Sequence, residues 1–132
     1  MPTIERFEDL DMWKKARTLS SKIYKLTFDK PISDDFRFKD QLRGSVGSIM
    51  DNIAEGFERG SRLEFVNALG IAKGETGELR SQLYRGLDVG YISQGIFNEL
   101  YEMASDVAKM IASFIVYLNR SIVKGQKFKD RI

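Results

Sequence analysis

GSRLEFVNALGIAKGETGELRSQLYRGLDVG, residues 60–90, carries one period from end to end. Phe65, Leu69, Ala72, Thr76, Leu79 and Leu83 recur at spacings of four and three, which stacks them on one face of an α-helix. Ser61 and Glu64 form an S-x-x-E capping box ahead of that face, and Gly60 and Gly90 punctuate its two ends. The spacing predicts a helix over about Arg62 to Val89.

The same period continues outward in both directions. Upstream, Leu42, Val46, Ile49, Ile53 and Phe57 predict a helix from about Phe38 to Arg59, meeting the first across a tight antiparallel turn. Before it, Met12, Ala16, Leu19, Ile23 and Leu26 predict another from about Asp9 to Phe28, ended by Asp29, Lys30 and Pro31 because proline cannot continue a helix. Downstream, Ser93 can cap a fourth helix, about Gln94 to Val123. Its Leu100, Met103, Val107, Met110, Ile111, Phe114, Ile115 and Leu118 cover a wider arc than one core stripe requires. Four long helices on short connections predict an all-α fold, an antiparallel up-down-up-down four-helix bundle over residues 1–123, with a basic tail at 124–132 expected to fray.

With 132 residues the chain fits one domain. It has no cysteine and no histidine, which removes thiolate chemistry, the usual general base and the common metal ligands. No catalytic residue, cofactor or metal is expected. Net charge is +2, too small to mark a nucleic-acid binder by itself, but its distribution is uneven. From Arg120 onward five basic residues face one acid, a net of +4, so the body carries −2. No N-terminal segment resembles a signal peptide, and the most apolar run, Met110 to Leu118, is about half the roughly 20 residues that span a membrane. A cytoplasmic protein without membrane contact is expected.

Other features lie off the core stripes. Leu10, Trp13, Tyr24 and Phe28 form a second apolar stripe on the first helix, read either as a wide core face or as a subunit interface. Gly70, Gly74, Gly77 and Ser81 form a small-residue seam, for which close helix packing is the leading reading because each glycine costs about 1 kcal/mol against alanine. Gln41, Ser45, Ser48, Asn52, Glu55 and Arg59 make a polar stripe in which Glu55 and Arg59 can pair. Lys14, Lys15, Lys22 and Lys25, with Lys124, Lys127 and Lys129 of the tail, are the candidate phosphate contacts, while Glu64, Glu75 and Glu78 gather on the third helix. Complementary charge between subunits is the other reading of these faces.

From Phe7 to about Leu118 the chain resembles the 23S rRNA intervening-sequence protein family. The resemblance rests on Trp13-Lys14-Lys15-Ala16, on Gln41-Leu42-Arg43, on Asn52-Ile53-Ala54-Glu55-Gly56, on Arg59-Gly60-Ser61 and on Ile71-Ala72-Lys73-Gly74. Gln41, Arg43, Asn52, Glu55 and Gly56 are its most specific positions, and the chain departs from it at Gly44, where alanine is expected, and at Glu75, where serine is common. The resemblance implies an antiparallel bundle. By similarity to the accessory proteins of diversity-generating retroelements, it also implies a ring of five subunits that works with a reverse transcriptase and nucleic acid through basic surfaces. It defines no catalytic residue. The functional expectation is a non-enzymatic oligomeric bundle that binds RNA, DNA or a nucleoprotein partner; the alternative is a structural or protein-interaction module without nucleic-acid affinity.

Overall fold

The computed structural model describes residues 4–121. Four helices, α1 (Asp11–Thr27), α2 (Phe36–Glu58), α3 (Arg62–Asp88) and α4 (Gln94–Ser121), are preceded and interrupted by short 3-10 turns at Phe7–Asp9 and Ile32–Asp34. Each helix packs on its sequence neighbours, and α4 closes on α1. Partner residues show the directions. On α2 and α3, Gln41 meets Arg85 and Ser45 meets Gln82. On α3 and α4, Arg62 meets Asn119 and Tyr84 meets Phe97. On α1 and α4, Lys15 meets Asp106 and Lys22 meets Glu99. In every pair the residue number rises on one helix as it falls on the other, so these neighbours run antiparallel.

The predicted stripes form the core. Leu19, Ile23, Ile49, Ile53, Phe65, Leu69, Leu79, Leu83, Ile111 and Leu118 are fully buried. The wide arc of α4 divides: Leu100, Val107, Ile111 and Leu118 point inward, whereas Met103, Met110, Phe114 and Ile115 pack half-buried on the flanks.

The helix ends follow local chemistry. The Ser61 hydroxyl accepts from the Glu64 amide at 3.1 Å and donates to the Glu64 carboxylate at 3.2 Å. Ser93 caps α4 by accepting from the Ile96 amide at 3.1 Å. The start of α2 is capped by Asp35, which sequence reading missed: its carboxylate accepts from the Phe38 amide at 3.1 Å and from the Tyr91 hydroxyl at 2.8 Å. The cap sits after a cis Lys30–Pro31 bond and a 3-10 turn that buries Ile32. Gly60 and Gly90 adopt φ of 86° and 80°, the left-handed conformation that stops α3 from merging with its neighbours.

Gly56 sets the α2–α3 approach. A β-carbon there would stand 2.5 Å from Ala68 Cβ and 3.1 Å from the Phe65 ring, so only glycine fits without movement.

Candidate functional site

Because α1 turns Met12, Ala16, Leu19 and Ile23 inward, its outer side is left to the cations. Lys14, Arg17, Thr18, Ser21, Lys22 and Lys25 line an open depression with no carboxylate among them. Arg17 joins this group although the sequence reading counted only lysines. Lys15 stands to one side, its Nζ 3.4 Å from Asp106 of α4, and Lys22 reaches Glu99 at 3.0 Å. Both pairs are well exposed, so each contributes at most about 1 kcal/mol. Lys14 lies 4.0 Å from Asp11, and Lys25 forms no ion pair among the described residues. Lys124, Lys127 and Lys129 lie outside the described residues.

A second group of cations lies where α1 meets α2. The Arg43 guanidinium sits 4.8 Å from the Tyr24 ring centre and 5.4 Å from that of Phe28, and its Nε donates to the Thr27 hydroxyl at 2.9 Å. Lys39 stands 4.8 Å over Phe36, and Arg17 lies 5.7 Å from Trp13. Phe28 and Phe36 are two-thirds exposed, at 66% and 69%.

Two sequence expectations are corrected. Leu10 is buried at 3% and cannot belong to an outer stripe. It stands before the helix, in extended backbone delivered by the Phe7–Asp9 turn, so the 100° helical step does not place it. Trp13 is half-buried, edge-on to Phe7 at 5.1 Å, which leaves Tyr24 and Phe28 as the exposed part of the stripe. The seam of Gly70, Gly74, Gly77 and Ser81 does not pack closely against another helix: added β-carbons at Gly70 and Gly74 meet nothing within 4 Å, and one at Gly77 meets only an Arg80 nitrogen at 3.6 Å. The seam begins one residue after Leu69 and so runs on the far side from the core. Close approach occurs instead at Gly56 and at Gly86, which abuts Phe38.

The polar stripe of α2 is a ladder to α3. Arg85 donates to Gln41 at 3.1 Å and Gln82 donates to Ser45 at 2.9 Å in a buried site. Asn52 donates to the Ser48 carbonyl and hydroxyl at 2.8 and 2.9 Å, and Arg59 bonds Glu55 at 3.1 Å. The Arg85–Gln41 and Gln82–Ser45 bonds tie α3 to α2, whereas those of Asn52 and Arg59 stay within α2 and its C-terminal cap. Burial, then the neighbouring Glu78 carboxylate, pushes the Glu75 carboxyl above its usual range. No group of three or more potential metal-ligating acidic, histidine or cysteine side chains occurs among the described residues.

The model of the 23S rRNA-intervening sequence protein family matches residues 8–113. The chain belongs to this family. Within the intervening-sequence family fold, Gln41, Arg43, Asn52 and Gly56 thus acquire contacts that tie α2 to α1 or α3, or that brace α2 itself. A crystal structure of a protein of unknown function from the S23 ribosomal protein family of Bacteroides thetaiotaomicron is similar over 79% of this chain and 97% of its own, at 25% identity and a TM-score of 0.73. No curated protein shows a significant match. Among the described residues no helix is long and apolar enough to cross a membrane.

Proposed function

We propose that this family member is a non-enzymatic, homo-oligomeric accessory bundle that binds RNA or a nucleoprotein through the outer face of α1. The observation that carries the reading is the basic depression of Lys14, Arg17, Lys22 and Lys25, whose lining holds no acidic side chain among the described residues, although Lys22 reaches Glu99 and Lys14 lies near Asp11 at its rim. Such a face gains affinity by releasing counterions from phosphates. One subunit offers few contacts, and a ring would multiply them by avidity. The resemblance to retroelement accessory proteins favours five subunits and a reverse transcriptase as the nucleoprotein partner. The competing reading is a protein-interaction module, favoured by the Lys15–Asp106 and Lys22–Glu99 pairs, which already engage two of the four helix lysines.

Fluorescence anisotropy with a labelled RNA at several salt concentrations separates them. The triple variant Lys14→Gln, Lys22→Gln, Lys25→Gln is expected to bind more weakly and to flatten the log–log salt slope by about 0.7 for each single-strand phosphate it no longer neutralises. Circular dichroism should stay unchanged, because all three side chains are exposed. Wild-type protein without affinity at low salt, or a variant with the same affinity and slope, decides for the interaction module. Light scattering tests the ring, and a monomer at micromolar concentration overturns it.

A further inference from the structure

We propose that the α1–α2 face beside the basic depression is a stacking platform for single-stranded nucleic acid. This rests on the nucleic-acid reading above and adds to it which form of the polymer is held, and by what. Three cations on this face are each set against an aromatic ring: Arg43 against Tyr24 and Phe28, Lys39 against Phe36, Arg17 against Trp13. None of these cations forms an ion pair among the described residues, unlike Lys14, Lys15 and Lys22 of α1. Arg43 is held for use: Thr27 fixes its Nε, two rings flank the guanidinium, and its terminal nitrogens donate to no acceptor among the described residues. A fork positioned in that way suits a phosphate.

Phe28 and Phe36, mostly exposed, belong to neither the core nor the polar ladder. An unneutralised cation beside an open ring matches a ligand that alternates negative charge with flat apolar surface. A single strand has that alternation, whereas a duplex hides its base faces in its own stack. Arg17 belongs to both the platform and the depression, so a strand can pass from one to the other along α1. From Trp13 to Phe28 the helix rises roughly 22 Å, enough for several nucleotides.

The test compares a single-stranded RNA of mixed sequence with the duplex of the same length, by anisotropy, on wild type, on Phe28→Ala/Phe36→Ala and on Arg43→Lys. Wild type should prefer the single strand by about tenfold or more. The double variant should lose about tenfold per ring on the single strand while its weaker duplex binding stays unchanged. Arg43→Lys, which keeps the charge and removes the fork, should also erode the preference. Equal affinity for both forms, or a double variant that binds the single strand as wild type does, overturns the platform while salt-dependent binding keeps the α1 reading intact. Absence of any binding at low salt overturns both, as does binding confined to an acidic peptide.

Discussion

At the scale of single residues, two glycines that look alike in the sequence carry opposite expectations. Gly56 stands where a β-carbon would lie 2.5 Å from Ala68, so Gly56→Ala should cost about 1–3 kcal/mol of packing strain against a helix-propensity gain of about 1 kcal/mol. Gly74 faces open space, so Gly74→Ala should keep the propensity gain and raise the thermal midpoint by a few degrees. Thermal denaturation of both variants checks the pair: a Gly56→Ala protein as stable as wild type, or a Gly74→Ala protein less stable, contradicts the assignment. Periodicity puts Gly56 at the edge of the core face, three residues after Ile53 and seven after Ile49, and Gly74 off the core face, yet it cannot say how closely a neighbouring helix approaches either. That distinction depends on how α2 crosses α3.

At the scale of elements, the four stripes and the caps at Ser61 and Ser93 were legible because their partners lie within four residues. The cap bond between Asp35 and the Phe38 amide is as local and was missed because the apolar stripe starts at Phe38, past the true start of α2, whereas the Asp35 bond to Tyr91 lies beyond any short-range pattern. The α2–α3 ladder was half legible, its polar members visible and its partners not. Within it, Gln82 is buried with its Nε2 satisfied by Ser45, while its Oε1 has no hydrogen-bond partner among the described residues. Ser45→Ala alone strands the second polar atom of Gln82 and should cost about 1–3 kcal/mol. Adding Gln82→Leu removes both orphaned atoms and should restore most or all of the loss. Urea denaturation of the single and double variants reads this out, and a double variant weaker than Ser45→Ala would contradict it.

At the scale of the whole molecule, core and surface differ in how they announce themselves. A buried face must recur with the helical period, so the helix ends that lie among the described residues could be placed to within two residues, while the expected end of the fourth helix at about Val123 lies outside them. A binding face obeys no period. Lys14, Lys22 and Lys25 stood out by charge, and Arg17 meets Trp13 one turn away on α1, but Arg43 joins Tyr24 and Phe28 only once α1 and α2 are set side by side in register. That register is fixed by residues 29–35, whose turn no short-range pattern foretells.

The Tyr91–Asp35 bond joins the α1–α2 connection to the α3–α4 connection at the end of the bundle that carries Phe36 and Arg43. Two loops latched by one proton-sensitive bond cannot loosen separately, so that end should breathe as a single lid. The Phe38 amide, then the Tyr91 hydroxyl, hold the Asp35 carboxyl below its ordinary 3.8, and the bond to Asp35 raises Tyr91 above its ordinary 10.0. The Asp35 contribution is therefore complete above pH 3.8 and fades as pH falls through the lower folded value, while that of Tyr91 is complete below pH 10.0 and fades as pH rises through the higher one. Between those limits both groups favour the bond, and acid below the ordinary carboxylate range weakens it. Hydrogen-exchange protection at the Phe38 amide should fall with acid earlier than protection in mid-α3, and Tyr91→Phe should lower it at neutral pH; equal protection in the variant would show that the two connections move independently.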